Sequence, residues 1–362
     1  MTLPLRKDLA AVQAYGAPQI SVPVRLNTNE NPYSPPQTLI DAIATEVKQV
    51  AASLNRYPDR DAVELRIALA EYLQEESGVS LTSDHVWAAN GSNEVMVQLL
   101  QTYGGPAHTA LTFTPTYSMY EEYARDSATN FVAVPRNDDF SLNAGLVHAA
   151  IEQHSPHVIF FASPNNPTGT SMSLDIIESA LVAAPNSVVV VDEAYAEFRR
   201  AGVPSALTLL SRFSNLVVTR TMSKAFAFAG VRLGYLAASP EIVGHLQRVR
   251  LPYHLSTVTQ TVAKTALKYA AELQKDLHSI RRDRDDLVEW LRSAGYEAAD
   301  SDANFVLFGQ FSDRHATWQA LVDRGVLIRE VGPAGWLRVT IGTPDEMKIF
   351  KHALTEVKGL GL

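Results

Sequence analysis

The stretch NLVVTRTMSKAFAFAGVRLGY, from Asn215 to Tyr235, decides how the rest of this chain is interpreted. It opens with β-branched residues that are typical of a strand, Leu216 to Thr219. A hydroxyl-bearing turn follows and presents Lys224 among small residues. An apolar pocket disfavours the charged form of an amine, so such a lysine is readily available as a nucleophile. The turn hydroxyls and Arg232 are groups that bind a phosphate monoester.

An amine beside a phosphate site describes a lysine that holds pyridoxal 5'-phosphate (PLP) as a Schiff base. The alternative is a surface lysine in a loop, which a lone Ser-Lys dipeptide would favour. The segment SKAFAFAGVRLGY resembles the lysine segment of the fold-type I PLP-dependent aminotransferases, in the histidinol-phosphate aminotransferase branch. Further motifs between Asn27 and Gly342 carry the same resemblance, which therefore covers nearly the whole chain.

The overall composition is that of a globular enzyme. The chain has 362 residues, of which 46% are hydrophobic and 19% are charged, and its formal net charge is −8. This negative balance argues against nucleic acid or an anionic membrane as a partner. Cysteine is absent, which excludes disulfides, thiolate metal sites and a cysteine nucleophile. Since no signal peptide or membrane-spanning run is recognisable, we expect a cytoplasmic protein.

Two polar motifs follow short apolar runs. The turn 90–93 (NGSN) lies between a predicted strand, Val86 to Ala89, and a helix predicted to begin near Glu94. Helix N-termini bind phosphate groups, so this turn is a candidate phosphate site. Asp192 ends the buried run Ser187 to Val191, at the sheet edge where sites lie in open parallel sheets. An aspartate there can hold the proton of a pyridine nitrogen, and a helix cap is the alternative.

The resemblance implies roles for these and other residues. In the family, the asparagine of SPNNPTG, here Asn166, and the tyrosine of DEAY, here Tyr195, contact the 3'-oxygen of the cofactor. The implied catalytic residues are Lys224, Asp192 and Tyr195. The other residues implied to bind PLP are Ser92, Asn93, Tyr117 (stacked on the ring), Asn166, Thr221, Ser223, Arg232 and, from the partner subunit of a homodimer, Tyr57. No metal site is expected.

The substrate contacts are also predicted from the resemblance. LRVTIG is similar to the family segment whose arginine, here Arg338, binds the anionic end of the substrate. A guanidinium suits bidentate recognition of an anion, although an arginine in a strand is usually a solvated edge residue. The predicted substrate contacts are Tyr15, Asn29, Asn93, Tyr253, Arg329 and Arg338. Tyr120 and Tyr123 are interpreted as core aromatic residues.

The expected fold class is α/β, and the resemblance implies its details. These are a large domain with a mostly parallel seven-stranded sheet between helices, and a small α+β domain. We predict an N-terminal arm over residues 1–32, the PLP-binding domain over 33–245 and the small domain over 246–362. Apolar residues recur at helical spacing from Ser256 to Ala294, interrupted by Arg284. This span exceeds an ordinary helix and indicates a kink or a domain-linking helix.

The resemblance implies histidinol-phosphate aminotransferase activity by a homodimer with shared active sites. Such an enzyme transfers an amino group, by a ping-pong mechanism, between L-histidinol phosphate and 2-oxoglutarate in histidine biosynthesis. The products are imidazole acetol phosphate and L-glutamate. Three alternatives stay open: an aromatic amino acid aminotransferase, a PLP-dependent phosphothreonine-type decarboxylase, and a non-catalytic PLP-binding regulator. The last would need a DNA-binding appendage, for which we identify no segment.

Overall fold

A seven-stranded sheet organises the larger part of the chain. The fold is described from a computed structural model, which covers residues 3–359. The strands are, in chain order, β1 (Val24–Arg25), β2 (Val86–Ala89), β3 (Thr109–Thr114), β4 (Asn130–Pro135), β5 (Val158–Ala162), β6 (Val188–Asp192), β7 (Leu216–Thr221), β8 (Gly234–Ala238), β9 (Glu297–Ala298), β10 (Phe305–Gly309), β11 (Val326–Leu327) and β12 (Trp336–Thr340).

Helices surround the sheets. They are α1 (Gln37–Ala51), α2 (Val63–Ser77), α3 (Ser92–Tyr103), α4 (Met119–Asp126), α5 (Ala144–His154), α6 (Leu174–Ala183), α7 (Pro240–Val249), α8 (Thr257–Lys268), α9 (Ala270–Leu273), α10 (Lys275–Ser293), α11 (Arg314–Asp323) and α12 (Pro344–Lys358). A short 3₁₀ turn, Ala196–Phe198, follows β6 and bears on the site described below.

The large sheet has the order β2-β8-β7-β6-β5-β3-β4, and β8 runs antiparallel to both of its neighbours while the others are parallel. Its central strands are buried on both faces, as their unbroken apolar runs indicate. Alternate residues belong to two separate apolar clusters: Ile159 and Val191 to one, Phe160 and Val190 to the other. The predicted mostly parallel seven-stranded sheet is confirmed.

The C-terminal part of the chain builds a second, smaller sheet. Strand β10 lies between β12 and β9 and is antiparallel to both. The N-terminal arm joins this part of the chain, because β1 pairs in parallel with β11. The predicted boundary between residues 245 and 246 falls inside α7, and α8 packs against α1 and α2. The division into arm, large domain and small domain stays a prediction.

The long helical span predicted from Ser256 to Ala294 is interrupted. Helices α8, α9 and α10 follow one another with breaks at Tyr269 and Gln274, so the expected kink is confirmed. Arg284, which interrupts the apolar stripe of this span, is completely buried in α10. Within residues 3–359, no helix is both long enough and apolar enough to cross a bilayer.

Candidate active site

A cleft at the carboxyl ends of the parallel strands collects most of the predicted site residues. This is the edge at which open α/β sheets bind their ligands. The cleft has a volume of about 230 Å³. The predicted residues that line it are Tyr15, Asn29, Ser92, Asn93, Tyr117, Asn166, Asp192, Tyr195, Thr221, Ser223, Lys224, Arg232, Arg329 and Arg338. Side chains from the arm, the large sheet and β12 therefore face one space.

Two predicted residues, Tyr57 and Tyr253, do not line the cleft of the described chain. Their rings stack on each other with centroids 4.6 Å apart. Tyr57 is 81% exposed and Tyr253 is 41% exposed. Tyr57 was predicted to serve a partner's site, which requires it to lie outside its own cleft. Tyr253 was predicted to contact substrate, and within its own chain it instead packs on Tyr57.

Lys224 lines the cleft and lies in the connection between β7 and β8. Its Nζ donates a hydrogen bond to the backbone oxygen of Thr28, at 3.0 Å. Burial lowers the pKa of the Lys224 amine to about 8, and the positive charge of Arg338 acts in the same direction. An appreciable fraction of this amine is therefore uncharged close to neutral pH, as a nucleophile or a general base requires.

Asp192 is buried at the end of β6 and accepts three hydrogen bonds. The donors are the Tyr120 hydroxyl at 2.9 Å, the Thr219 hydroxyl at 3.1 Å and the backbone N–H of Ala194 at 3.2 Å. Burial raises the pKa of the Asp192 carboxyl, and these hydrogen bonds oppose that rise. The carboxylate is thus held in one orientation at the sheet edge.

Tyr120 is more than the core aromatic residue that the sequence suggested. Its ring is fully buried and stacks on Phe160, with centroids 4.8 Å apart, as a core residue would. Its hydroxyl, however, donates to Asp192, and its ring meets Tyr117 edge to face. The spacing of three between Tyr117 and Tyr120 was the available signal, since a single turn, closed by the N–H of Tyr120 on the oxygen of Tyr117 at 3.2 Å, brings the two rings together.

The turn predicted to bind phosphate forms the N-terminus of α3. The helix begins at Ser92, two residues earlier than predicted, after Gly91. The guanidinium of Arg232 lies against this turn: a Cβ added to Gly91 would stand 2.6 Å from Nη2 of Arg232. Arg232 also donates to the hydroxyl of Ser223, at 3.4 Å. Free N–H groups, the positive end of the helix dipole and a guanidinium together favour an anion here.

Two hydrogen-bonded pairs of polar side chains also line the cleft. The Tyr195 hydroxyl accepts a hydrogen bond from Nδ2 of Asn29, at 3.0 Å. Asn29 is held in turn by the Thr340 hydroxyl, which donates to its Oδ1 at 2.9 Å. Arg338 donates to Oδ1 of Asn166. The remaining amide donor of Asn166, its Nδ2, is therefore the group available to a ligand.

Arg338 and Arg329 place unused donors at the cleft. The backbones of these two residues are hydrogen-bonded to each other, with both N–H to O distances at 2.9 Å. Burial lowers the pKa of the Arg338 guanidinium to about 10, which leaves it charged at neutral pH. Nε of Arg338 and Nη1 of Arg329 are buried without a hydrogen-bond partner among the described residues. Because both guanidinium groups line the cleft, they favour an anionic ligand there.

Sequence reasoning missed the backbone groups of the arm. The oxygen of Thr28 accepts from Lys224, and the oxygen of Asn27 accepts from Arg338 at 2.9 Å. Nothing in a side-chain motif identifies which main-chain carbonyl a folded arm will present. The nearest available signal was the position of both residues inside the LNTNENP segment.

A protein-family model matches most of the chain. Residues 21–354 match the model described as aminotransferase class I and II. The matched range includes all three sheets and nearly all residues of the cleft.

Individual relatives are similar over nearly their full lengths. The chain is 59% identical to histidinol-phosphate aminotransferase from Thermobifida fusca, over 99% of this chain and 96% of that protein. It is 54% identical to the protein of the same name from Frankia casuarinae, over 97% of this chain and 89% of that one. The crystal structure of histidinol-phosphate aminotransferase from Sinorhizobium meliloti in complex with PLP has a similar fold. Its TM-score is 0.82 at 23% identity, over 93% of this chain and 91% of that chain.

Proposed function

Because this chain belongs to the class I and II aminotransferases and, within them, to the histidinol-phosphate aminotransferase family, we propose that it transfers an amino group from L-histidinol phosphate to 2-oxoglutarate with PLP as cofactor. The products are imidazole acetol phosphate and L-glutamate, and the reaction belongs to histidine biosynthesis. One observation supports the proposal most directly. A lysine with a lowered pKa, a buried carboxylate, and two arginines that each have a donor nitrogen without a partner among the described residues all line the same cleft.

The residues of the cleft fit PLP. The cradle formed by Gly91, Ser92 and Arg232 suits its phosphate, because it offers helix N–H groups and a guanidinium. The hydroxyl of Ser223 is in contact with Arg232 of this cradle, Asn93 follows Ser92 in the chain, and Thr221 also lines the cleft.

The other polar groups suit the pyridine ring. Asp192 would face the ring nitrogen, and Tyr117 would stack on the ring face. Asn166 and Tyr195 would both serve the 3'-oxygen, since their side chains line the same cleft.

When bound, PLP supplies an aldehyde carbon that combines with amines and a ring that withdraws electrons from the substrate Cα. The chain's own groups do the rest. The carboxylate of Asp192 would hold the proton of the ring nitrogen. Nζ of Lys224 would act first as the base that takes the substrate Cα proton and then as the acid that gives it back. The hydrogen bond to the Thr28 oxygen orients this amine, and its lowered pKa suits proton transfer close to neutral pH.

The two arginines would select the substrate by its anionic end. Histidinol phosphate has no α-carboxylate, so the arginine pair is available to its phosphate. A phosphate dianion offers two guanidinium groups more charge and more acceptors than a carboxylate does. Tyr15 and Asn93, which line the same cleft, would frame the imidazole.

The substitution Arg338→Ala is expected to lower kcat/KM for histidinol phosphate roughly ten- to a hundredfold, because a hydrogen bond to a charged group contributes about 1.5–3 kcal/mol. The kcat/KM for unphosphorylated histidinol should fall much less. The measurement is kcat/KM for both amines with wild type and variant.

Arg292→Ala is the control, since Arg292 is half exposed and pairs with Asp300. Equal losses for both amines would show that Arg338 does not contact the phosphate. A wild type that prefers phenylalanine to histidinol phosphate would favour the aromatic aminotransferase instead.

The active unit is proposed to be a homodimer with shared sites. Exposed apolar residues on the two segments that the Tyr57–Tyr253 stack joins support this proposal. Besides the two tyrosines, the exposed apolar residues on the same segments are Leu54, Val63, Ile67 and Leu251. Exposed patches of this kind are typical of protein interfaces. Tyr57 would then reach the phosphate end of the partner's cleft.

Hybrid dimers test the shared site. Tyr57→Ala and Lys224→Ala homodimers are each expected to be nearly inactive. An equal mixture, after subunit exchange, should recover about a quarter of the wild-type activity, because half of the dimers are hybrids with one intact site. Sedimentation of the wild type provides the oligomeric state. An active monomer, or no recovery despite demonstrated exchange, would contradict the shared site.

The division into domains and the cellular location are also proposed here. The first is the division into an arm (1–32), a PLP-binding domain (33–245) and a small domain (246–362). The second is a cytoplasmic location, which is where the precursors of amino acid biosynthesis are expected.

A further inference from the structure

Arg284 is a completely buried arginine for which the proposed reaction has no use. It lies in α10, and its guanidinium uses all three nitrogens. Nη1 donates to the backbone oxygens of Phe198, at 2.7 Å, and Ala303, at 3.3 Å. Nε and Nη2 donate to the two carboxylate oxygens of Asp285, at 3.0 and 3.2 Å. One side chain thus joins two segments that are distant in sequence.

The first of these segments follows Tyr195. The 3₁₀ turn Ala196–Phe198 begins directly after this tyrosine, and each of its three carbonyls accepts from an arginine. Arg199 donates to the oxygen of Ala196 at 2.8 Å, Arg281 donates to that of Glu197, and Arg284 donates to that of Phe198. Two of the three arginines come from α10. Two carbonyls of the turn that follows Tyr195 are therefore anchored to α10.

The second segment touches the loop that carries Asn166. The backbone N–H of Asp302, next to Ala303, donates to the oxygen of Gly169 at 2.8 Å. The contact is close, because a Cβ added to Gly169 would stand 2.3 Å from the hydroxyl oxygen of Ser301. Gly169 has φ +80° and lies three residues after Asn166. A shift of the 301–303 segment would therefore be transmitted to the Asn166 loop.

We propose that Arg284 is a positioning residue that sets the spacing between Tyr195 and Asn166. This inference rests on the proposed function, in which those two side chains serve the same cofactor oxygen. Arg284 ties the backbone three residues after Tyr195 to the segment that supports the loop of Asn166. Its influence on the reaction passes through these two residues, and it does not touch the cleft itself.

The contacts that Arg284 makes suit a guanidinium and not an ammonium group. A guanidinium is a rigid planar fork, so it can hold a carboxylate on one edge and backbone carbonyls on the other. Asp285 neutralises the buried charge and is itself bound by Nη2 of Arg200, at 3.0 Å. A lysine would retain the charge but has one donor nitrogen, and it cannot hold Phe198 and Asp285 at opposite edges.

The test compares Arg284→Lys with Arg282→Lys, both saturated with PLP. Arg282 is the matched control, since it lies on the same helix, is 67% exposed and pairs with Asp283. The readouts are the pH midpoint of the absorption change of bound PLP, which reports the surroundings of the 3'-oxygen, and kcat and KM for histidinol phosphate. In Arg284→Lys, the midpoint should move by about one pH unit, as expected for an altered hydrogen bond to an ionisable group.

Turnover supplies the second readout. The kcat of Arg284→Lys should fall about ten- to a hundredfold, the scale of a misplacement of about 1 Å, while KM changes little. Arg282→Lys should resemble the wild type in both respects. An unchanged midpoint and kcat in Arg284→Lys, even with a lower Tm, would overturn the proposal and leave Arg284 a purely structural residue.

A second variant covers the case in which Arg284→Lys fails to fold. Asp285→Asn retains an acceptor at a half-exposed position and releases one edge of the guanidinium. It should shift the midpoint in the same direction by a smaller amount, and a midpoint equal to that of the wild type would contradict the proposal. If the wild type binds PLP but does not transaminate histidinol phosphate, the proposed function fails, whereas the midpoint comparison still decides the role of Arg284.

Discussion

Lys224→Ala is expected to bind PLP without a covalent bond and to lose transamination almost completely. The phosphate cradle at Gly91 and Arg232 is untouched by this change, so binding should persist. The rate should fall by roughly 10²- to 10⁴-fold or more, the range that a positioned acid or base contributes. Steady-state rates with histidinol phosphate and 2-oxoglutarate measure the loss. Borohydride reduction followed by peptide mass mapping should label the Lys224 peptide in the wild type and leave the corresponding peptide of Lys224→Ala unlabelled.

Lys268→Ala is a suitable control because Lys268 is exposed on α8, away from the cleft. It should retain the rate and the label of the wild type. If Lys224→Ala turned over at the wild-type rate without an added amine, the base would have to be another residue.

Asp192→Asn is expected to lower kcat by about 10²- to 10⁴-fold at saturating PLP, because breaking a buried charge pair costs roughly 3–5 kcal/mol. The asparagine preserves the shape of the side chain and an oxygen for Thr219 and Ala194, so the fold should survive. What it removes is the negative charge that keeps the ring nitrogen protonated. The measurement is kcat, together with PLP affinity from the absorption of the bound cofactor.

The alternative for Asp192 is a structural role, since its Oδ1 accepts the N–H of Ala194 as a cap would. A near-normal kcat for Asp192→Asn would favour that alternative. Tyr120→Phe provides a graded comparison, because it removes one of three donors to the same carboxylate and should cost less than the loss of the charge.

The central sheet could be predicted because its strands are short apolar runs with no alternation. The apolar runs that begin at Val158 and Val188 indicate strands that are covered on both faces. Both strands lie within one residue of their predicted positions. Asp192 and Lys224 were identifiable for a related reason: Asp192 ends such a strand and Lys224 comes three residues after another, so chain order alone brings them to one edge of the sheet.

Other features depend on contacts that no local pattern contains. Strand β8 was not predicted, because GYLAA is short and is defined by its two antiparallel neighbours. The pairing of β1 with β11 joins two-residue strands from opposite ends of the chain. The donor from Tyr120 to Asp192 and the acceptor at Thr28 for Lys224 arise only once these segments have packed.

The place of β8 in the sheet has a consequence for the order in which the protein assembles during synthesis. Residues 86–89 find their only sheet neighbour among the described residues in 234–238, so the edge that supports the α3 turn cannot close until the ribosome has passed residue 238. Pairings between such distant residues make folding slow. Until then, β2 and the apolar faces of the helices beside it have no sheet partner to pack on. Unpaired strands and exposed apolar surfaces of this kind are prone to aggregate. Capture of the cofactor would consequently mark a late stage in the maturation of the polypeptide.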